Sequence, residues 1–303
     1  MSGLSSKIID GKNLAIQVRR EIKDAVNILE SNYSVTPTLN VILVGTDPPS
    51  MVYVRNKQIA ARKAGMNAKD IHLPEKISQK DLIATIEDVN TDHRVHGILV
   101  QLPLPSHIDT GMVIDSINPE KDVDGIHPMN IGRLSQGRQL FVPATPAGIQ
   151  RMLLLSGINP IGQHVVICGR SNIVGKPLAM LLSQENPRAN STVTVCHSKT
   201  RDITNLTRQA DILVAAIGNP LFINAGMVKE GAVIIDVGIN RIDDRSRKSG
   251  YRLVGDVDFD SVSEKVSSIS PVPGGVGPMT IAMLLENTLL ATRRAAGDLN
   301  INH

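Results

Sequence analysis

Four short apolar runs in the second half of the chain constrain its fold more than any other feature. They are Val165–Cys168, Thr192–Cys196, Ile212–Ala215 and Val233–Asp236, and helical stretches or loops separate them. Continuous apolar strands joined by crossover connections are typical of a parallel sheet that is covered on both faces. We therefore predict an α/β domain built around a parallel sheet in this part of the chain.

The first half of the chain also alternates between helical and strand patterns. Apolar residues recur at helical spacing from Leu14 to Leu29, after Gly11, and short apolar runs bounded by turn residues predict buried strands. The two halves join around residues 140–148, where Thr145 and Pro146 are expected to be a helix N-cap and the first helical residue. The other helices are predicted over Ser50–Ala64, Ser78–Thr91, Thr110–Ile117 and Met279–Ala296, and the strands over Leu39–Val44 and Gly97–Gln101.

Length and composition exclude several classes of protein. The chain has 303 residues, which at about 100–200 residues per domain indicates two domains. Two cysteines cannot form a disulfide framework, and without a Cys-x-x-Cys pair or a His/Cys cluster a zinc site is not expected. Aromatic residues make up only 2% of the chain, too few for the stacking platforms of a single-stranded nucleic-acid binder. With neither a signal peptide nor an apolar run of about 18 residues, a cytosolic protein is expected.

A glycine-rich turn, Gly169-Arg-Ser-Asn-Ile-Val-Gly175, connects the first of the four apolar runs to a helix. In such a turn, backbone amides and the helix N-terminus can face a pyrophosphate. The spacing is Gly-x-Ser-x-x-x-Gly, so it departs from the Gly-x-Gly-x-x-Gly fingerprint of dinucleotide sites. The turn alone is therefore compatible with a dinucleotide site or with a structural strand-to-helix connection.

The residues after the second apolar run bear on the choice of cofactor. An NAD site usually carries Asp or Glu there, bonded to the ribose 2′-hydroxyl. This chain instead has Cys196-His-Ser-Lys-Thr200, and Arg170 lies in the glycine-rich turn. Basic groups and a hydroxyl suit a 2′-phosphate and favour NADP, although the same residues are compatible with an ordinary solvated loop. Cys168 and Cys196 are interpreted as buried, unreactive thiols.

Ser50, Tyr53 and Lys57 are spaced so that a helix places them on one face. A buried lysine can have a pKa lowered toward neutrality, which suits proton transfer, and a phenol can stack on a planar substrate. The alternative is a surface face with a Tyr–Lys contact. Tyr-x-x-x-Lys also occurs in short-chain dehydrogenases, but there the glycine-rich turn precedes the pair, whereas here it follows at Gly169.

Three loops carry further unusual chemistry. Gln101 ends a strand and is followed by two prolines, and Lys121–Gly125 holds two carboxylates. Those carboxylates are compatible with a metal site or with hydrogen bonds to the ring nitrogens of a substrate. The segment Pro271–Thr280, rich in glycine and proline, indicates a backbone shaped to approach a ligand or a rigid interdomain turn.

Five motifs stand in order along the chain: Val44–Lys57, Gly97–Pro105, Pro119–Gly125, Gly169–Pro177 and Pro273–Thr280. Together they resemble the motifs of the methylenetetrahydrofolate dehydrogenase/methenyltetrahydrofolate cyclohydrolase family, and the match spans most of the chain. One departure is the pair Pro48-Pro49, where the family often has one proline and a small residue. No change in chemistry is expected from it.

The resemblance implies an α/β fold of two domains. An N-terminal α/β substrate domain would comprise residues 1–146, and a Rossmann-like parallel-sheet domain over 147–280 would bind NADP. The C-terminal helix, within 281–303, would pack back on the first domain, and the active site would lie in the cleft between the domains. A cytoplasmic homodimer without nucleic-acid, membrane or metal partners is implied.

The resemblance also implies two consecutive reactions on folates that carry one carbon unit, including polyglutamylated forms. A hydride would first leave the methylene bridge of 5,10-methylenetetrahydrofolate for NADP, which gives the methenyl cation. Water would then add to this cation, and ring opening would give 10-formyltetrahydrofolate, a product that serves purine biosynthesis. A fused formyltetrahydrofolate synthetase, found on longer relatives, has no room in this chain.

By resemblance, Lys57 is the key proton-transfer residue of the hydrolytic step, and Gln101 contacts it and tunes its protonation. Asp124 would hold the pterin ring, Tyr53 would stack on it, and Ser50 would support the cluster. Further substrate contacts are implied for Val100, Leu102, Pro273, Gly274, Gly275, Val276 and Gly277. Cofactor contacts are implied for Gly169, Arg170, Ser171, Ile173, Gly175, His197, Ser198 and Ile239.

Overall fold

The computed structural model describes residues 7–247 and 250–298. Its strands are β1 (Lys7–Ile8), β2 (Thr38–Val44), β3 (Asn67–Leu73), β4 (Gly97–Val100), β5 (His164–Cys168), β6 (Thr192–Cys196), β7 (Ile212–Ala215), β8 (Val233–Asp236), β9 (Asn240–Asp243), β10 (Tyr251–Val254) and β11 (Ser268–Ile269). Its α-helices are α1 (Gly11–Tyr33), α2 (Pro48–Lys63), α3 (Gln79–Thr91), α4 (Thr110–Asp115), α5 (Pro128–Ser135), α6 (Ala144–Leu155), α7 (Gly175–Leu182), α8 (Ile203–Thr207), α9 (Phe259–Ser263) and α10 (Val276–Ala295), and a 3-10 helix spans Ala225–Met227.

The described residues form two compact units. We call one the three-stranded unit, which comprises 16–144 and 281–298, and the other the six-stranded unit, which comprises 7–15 and the described part of 145–280. The predicted first domain, 1–146, included the segment 7–15. Because β1 pairs with β11, the structure groups that segment with the six-stranded unit instead.

The three-stranded unit is organised around a parallel sheet in the order β3-β2-β4. The central strand β2 is buried over all its residues except the first, whereas β3 lies at an edge and is partly exposed throughout. Ile42, Leu82 and Ile98 are fully buried and belong to the apolar core that joins this sheet to its helices. The core consists of aliphatic side chains, as the scarcity of aromatic residues predicts.

The C-terminal helix α10 packs within the three-stranded unit, as predicted. The Asn287 Nδ2 atom donates to the carbonyl oxygens of Val123 and Val142, at 2.9 and 3.0 Å. A Cβ on Gly97 would lie 2.8 Å from a methyl carbon of Val123 and 3.3 Å from the hydroxyl oxygen of Thr288. Strand β4, the loop that contains Val123 and helix α10 are therefore tightly packed.

The six-stranded unit has the order β1-β11-β8-β7-β5-β6, and every neighbouring pair is parallel. The four predicted apolar strands are β5 to β8, which confirms the predicted parallel sheet. Strand β5 lies between β6 and β7, so the chain winds outward from it in both directions. The carboxyl ends of β5 and β7 thus flank a topological switch point, where ligands bind in open α/β sheets.

Several local predictions differ from the structure. Helix α2 begins at Pro48 rather than Ser50, because Asp47 is its N-cap and proline is favoured in the first turn. Helix α6 begins at Ala144, so Thr145 lies inside the helix and is not its N-cap. Strand β3, helix α5 and the antiparallel hairpin β9–β10 were not predicted. Among the helices of the described residues, none is long and apolar enough to cross a membrane.

Candidate functional site

Helix α2 begins with an Asp47 cap that also binds Ser50. The Asp47 Oδ2 atom accepts hydrogen bonds from the Ser50 amide at 3.0 Å and from the Ser50 hydroxyl at 2.7 Å. These bonds lower the pKa of Asp47. The structure therefore places Ser50 in the helix cap, buried at the start of the face that carries Tyr53 and Lys57.

Lys57 contacts Gln101, as the resemblance implies. The Lys57 Nζ atom donates to Gln101 Oε1 at 2.9 Å, and Gln101 Nε2 donates to the Leu102 carbonyl oxygen at 2.7 Å. The backbone N–H of Gln101 donates to the carbonyl oxygen of Ile42 on β2 at 2.9 Å. Both ends of the Gln101 side-chain amide are thus occupied, which holds its oxygen toward the lysine.

Asp124 lies close enough to Lys57 for their charges to interact. Burial lowers the pKa of Lys57, and the negative charge of Asp124 opposes that shift. Burial likewise raises the pKa of Asp124, opposed by Lys57 and reinforced by Asp122. For both groups burial is the larger cause, so the site favours the neutral forms of an amine and a carboxyl group. A lysine whose pKa is lowered gives up its proton more readily, which suits a residue that transfers protons in catalysis.

Tyr53 is partly buried on the same helix, one turn before Lys57. Burial raises the pKa of its phenol, so the hydroxyl stays protonated at neutral pH. Val100 is buried at the end of β4, whereas Leu102 is partly exposed after it.

The loop that carries Asp124 is fixed by Asp122. The Asp122 Oδ2 atom accepts from the His127 amide and from Asn130 Nδ2, both at 2.8 Å, and the Ile98 amide donates to the Lys121 carbonyl oxygen at 2.7 Å. Asp122 is thus a buried anchor of the loop. Within residues 7–247 and 250–298, no group of three or more His, Cys, Asp or Glu side chains could hold a metal ion.

The glycine-rich turn of the six-stranded unit is formed by closely packed backbone. Gly169 has φ of +143°, and a Cβ there would collide with the carbonyl oxygen of Ala216. A Cβ on Gly175 would collide with the carbonyl oxygen of Gly169. The Ser171 hydroxyl accepts from the amides of Val174 and Gly175, at 3.1 and 3.4 Å. Arg170, Ser171 and Ile173 are exposed along this turn.

The loop after β6 presents polar groups beside this turn. The His197 amide donates to the Thr200 hydroxyl at 2.8 Å, and His197 Nδ1 accepts from the Lys199 amide at 3.1 Å. Ser198 and Lys199 are exposed, and residues 197–200, directly after β6, include no carboxylate. Ile239, after β8, is also exposed, with 46% of its surface accessible. Cys168 and Cys196 lie side by side at the ends of β5 and β6, both buried as predicted.

The segment from Pro273 to Gly277 belongs to the six-stranded unit. The Gly274 carbonyl oxygen accepts from the Lys12 amide at 2.9 Å, and Gly274 has φ of +109°. A Cβ on Gly275 would lie 2.6 Å from the Pro271 carbonyl oxygen, and Val276 begins α10. Close backbone packing therefore requires glycine at position 275, and the positive φ favours glycine at position 274.

Two buried carboxylates of the six-stranded unit were missed from the sequence. Asp236 ends β8 and Asp256 follows β10, and 4% and 0% of their respective surfaces are exposed. An acid that ends an apolar strand, as Asp236 does, is a signal that could have been used. Asp256 has no comparable signal, because its partners come from distant parts of the chain.

Comparisons with known proteins agree with this arrangement. Residues 9–124 match the family described as tetrahydrofolate dehydrogenase/cyclohydrolase, catalytic domain, and residues 143–296 match its NAD(P)-binding domain. Bifunctional protein FolD of Prosthecochloris aestuarii is 54% identical over 290 residues, covering 95% of this chain and 98% of that protein.

Solved structures of similar proteins match along nearly the whole chain. The FolD methylenetetrahydrofolate dehydrogenase/cyclohydrolase of Campylobacter jejuni is 46% identical, with a TM-score of 0.89, and the match covers 95% of this chain and 99% of that one. The FolD of Trypanosoma brucei, solved with NADP and an inhibitor, is 39% identical, with a TM-score of 0.90 and coverage of 95% and 98%. This chain therefore belongs to the tetrahydrofolate dehydrogenase/cyclohydrolase family and has both the catalytic and the NAD(P)-binding domain of that family.

Proposed function

We propose that this chain is a bifunctional enzyme that oxidises 5,10-methylenetetrahydrofolate with NADP and then hydrolyses the product to 10-formyltetrahydrofolate. The observation that carries the proposal is the partly buried Lys57, hydrogen-bonded to Gln101 and close to Asp124. A dehydrogenase that lacks the hydrolytic step does not need a lysine whose pKa is lowered by burial. The family membership supports both activities.

The oxidative step transfers a hydride from the methylene carbon of the folate to the nicotinamide ring. This step needs aligned rings and no acid or base. In our proposal the backbone at Gly169 and Gly175, with Arg170 and Ser171, binds the cofactor phosphates. Ile173, His197 and Ile239 contact the remainder of the cofactor.

The choice of NADP over NAD follows from the loop after β6. Ser198 would bind the 2′-phosphate, since residues 197–200 include exposed polar groups and lack the carboxylate that an NAD site carries directly after this strand. We expect kcat/KM to be at least about tenfold higher with NADP than with NAD, because one charge-assisted hydrogen bond to the phosphate has that value. Steady-state kinetics with both cofactors measure this ratio, and comparable values would contradict the assignment.

The hydrolytic step needs three proton transfers. As water adds to the methenyl carbon, the neutral Lys57 amine takes a proton from it. When the bond from that carbon to N5 breaks, the resulting ammonium group returns the proton to N5. The remaining hydroxyl proton is released to solvent, so that the carbon becomes a formyl group on N10. Gln101 holds the amine in place, and its fixed oxygen accepts a hydrogen bond from either protonation state.

The remaining side chains orient the folate. Asp124 binds the pterin ring, Tyr53 stacks on it, and Ser50 keeps the beginning of α2 in place through Asp47. Further substrate contacts are proposed for Val100, Leu102, Pro273, Gly274, Gly275, Val276 and Gly277.

Replacement of Lys57 tests the proposal most directly. We expect Lys57→Ala to lower the cyclohydrolase rate by at least about 100-fold, the usual contribution of general acid–base catalysis, with the fold retained. The decay of methenyltetrahydrofolate absorbance measures the rate. Lys63→Ala is a matched control, because Lys63 is exposed in the last turn of the same helix. Unchanged hydrolysis in the Lys57 variant would contradict the assignment.

The resemblance further supports a cytoplasmic homodimer that supplies 10-formyltetrahydrofolate to purine biosynthesis. Sedimentation equilibrium of the purified chain tests the dimer, because a monomer mass across the concentration range would exclude it. The range of accepted substrates, including polyglutamylated folates, is tested by kcat/KM for mono- and polyglutamylated forms.

A further inference from the structure

Two buried carboxylates lie at the carboxyl edge of the six-stranded sheet, and the proposed mechanism does not use either of them. Asp236 and Asp256 are 4% and 0% exposed. A carboxylate that has been removed from water is costly unless hydrogen bonds replace its hydration. The donors that supply those bonds identify what the pair holds in place.

Asp256 binds two loops that follow different strands. Its Oδ2 atom accepts from the amides of Ile217 and Gly218, at 2.7 and 2.8 Å, just after β7. Its Oδ1 atom accepts from Asn240 Nδ2 at 2.9 Å, at the start of β9. One carboxylate therefore satisfies three donors and joins the loop after β7 to the loop after β8.

Both of these loops adjoin the proposed cofactor site. Ala216, which precedes the two bound amides, has its carbonyl oxygen against Gly169 at the position where a Cβ would be. The Ala216 amide donates to the Cys168 carbonyl oxygen at 2.7 Å, which aligns it with the end of β5. Ile239, a proposed cofactor contact, immediately precedes Asn240. Asp256 thus holds both the loop that packs against the glycine-rich turn and the loop that carries Ile239.

Asp236 in turn holds Asp256. Its Oδ1 atom accepts from the amides of Gly238 and Asp256, both at 3.0 Å, and its Oδ2 atom accepts from the Val257 amide at 2.9 Å. A Cβ on Gly255 would collide with the Asp236 carboxylate, and a Cβ on Gly238 would collide with that of Asp256. The two glycines therefore leave the space that the carboxylates occupy.

We propose that Asp256, held by Asp236, is a positioning residue for the dinucleotide site, because it fixes the loop at Ala216–Gly218 and the loop at Ile239–Asn240 before the cofactor binds. The inference rests on the proposed function only in that NADP occupies the site. Loops that are already ordered do not lose conformational entropy on binding, so loss of this carboxylate weakens cofactor affinity. The folate site and the hydrolytic reaction are unaffected.

The test uses the geometry of the hydrogen bonds in a cycle of variants. Asp256→Asn leaves one acceptor oxygen for three donors, so its NH2 group faces either Asn240 Nδ2 or the two backbone amides. Asn240→Asp places two carboxylates against each other. In the double variant, the amide oxygen at position 256 accepts from Ile217 and Gly218, and its NH2 group donates to the carboxylate at position 240.

We expect each single variant to raise the Kd for NADP by about 10- to 100-fold, as loss of a charged hydrogen bond does, and the double variant to bring it within about threefold of wild type. Isothermal titration calorimetry with NADP measures Kd. An unchanged Kd in the single variants, or a double variant no better than they are, overturns the inference. If Asp256→Asn does not fold, the comparison of Asn240→Asp with the double variant decides the same question.

Asp211→Asn controls for general destabilisation of the unit. Asp211 directly precedes β7, at the amino ends of the strands of the same sheet. It accepts from the His164 backbone amide at 2.9 Å and pairs with Lys229. We expect Asp211→Asn to lower the melting temperature and leave the Kd for NADP unchanged. A rise in Kd equal to that of Asp256→Asn would overturn a specific role of Asp256.

Cyclohydrolase activity distinguishes this inference from the proposed function. Hydrolysis of methenyltetrahydrofolate consumes no cofactor, and Lys57 and Gln101 belong to the three-stranded unit, so the Asp256 variants are expected to retain it within about twofold. A wild-type chain that binds no NADP would contradict the proposed function itself. A wild type that binds NADP normally, together with Asp256 variants that do so equally well, contradicts only the inference about positioning.

Discussion

In the three-stranded unit the candidate site consists of side chains, with the Lys57 amine hydrogen-bonded to Gln101 and influenced by Asp124. In the six-stranded unit the glycine-rich turn consists of backbone packed so closely that a Cβ at Gly169 or Gly175 would collide with it. The difference matches the two reactions. Proton transfer needs groups with displaced pKa values, whereas hydride transfer needs a cofactor held in one position.

The largest effect that separates the two sites is expected from Gly169→Ala. The added Cβ would collide with the Ala216 carbonyl oxygen, so the turn must shift and the proposed phosphate site is lost. We expect kcat/KM of the dehydrogenase to fall by at least about 100-fold, as displacement of a bound reactant does, with hydrolysis retained. Assays of both activities on one preparation measure the separation.

Gly157→Ala is the control for Gly169→Ala. Gly157 also has positive φ, +75°, but nothing lies within 4 Å of the position of its Cβ. The Gly157→Ala variant should therefore show backbone strain without loss of dehydrogenase activity. Equal loss of both activities in Gly169→Ala would mean that the sites are not separable in this way.

A second prediction concerns the charge of Asp124. Its attraction opposes the effect of burial on Lys57, so Asp124→Asn should lower the pKa of the lysine further. A lower pKa keeps the amine neutral to lower pH, so the acid limb of the hydrolysis rate should move to lower pH, by about one unit for a neighbouring opposite charge.

Carbon-13 NMR of reductively methylated lysines measures this pKa directly, with the Lys57 signal assigned by its absence in Lys57→Ala. Asp115→Asn is a suitable control, because Asp115 is exposed in the same unit. An unchanged or higher pKa for Lys57 in Asp124→Asn would show that the carboxylate does not act on the amine.

A third prediction concerns the backbone beneath the three-stranded site. Gly97→Ala would press a Cβ against Val123, two residues from Lys121 and next to Asp124. We expect a loss of about 1–3 kcal/mol in the free energy of unfolding, as overpacking costs, and slower hydrolysis. Gly132→Ala, in helix α5 with open space at its Cβ, should instead stabilise by about 0.5–1 kcal/mol. Urea unfolding measures both, and equal stabilities would contradict the packing argument.

The smallest effect is expected from the cysteines. Burial raises the pKa of the Cys168 thiol to about 12 and also raises that of Cys196. Both thiols should therefore react with Ellman's reagent only after unfolding, since the thiolate is the reactive form. Ser198→Cys places a thiol on the exposed loop two residues beyond Cys196 and should react in the native state. Rapid labelling of the wild type would contradict the burial of the pair.

Strong periodic patterns made much of the fold predictable. The apolar runs of β5 to β8 and the helical spacing in α1 identified these elements correctly. Strand β3 was missed because Asn67-Ala-Lys-Asp-Ile-His-Leu73 is a polar edge strand that gains its order by pairing with β2. The start of α2 was misplaced by two residues because the predicted helix began at Ser50, after Pro48-Pro49, whereas these prolines form its first turn.

Part of the candidate site could likewise be predicted from the sequence, and part of it could not. The face with Tyr53 and Lys57 follows from helical spacing, and the contact with Gln101 was expected from the family resemblance. The hydrogen bonds of Asp256 could not be predicted, because its partners at Ile217 and Asn240 are 39 and 16 residues away along the chain. Tertiary structure alone brings these groups together.

The contacts of Asn287 have a consequence for how the chain is made. This residue of α10 holds the carbonyl oxygens of Val123 and Val142, 164 and 145 residues earlier. During synthesis, the loop that bears Asp124 therefore emerges long before the helix that completes its support. The six-stranded sheet has all its strands by Ile269, so it can assemble first. Hydrolytic activity should thus be the last property that a growing chain acquires.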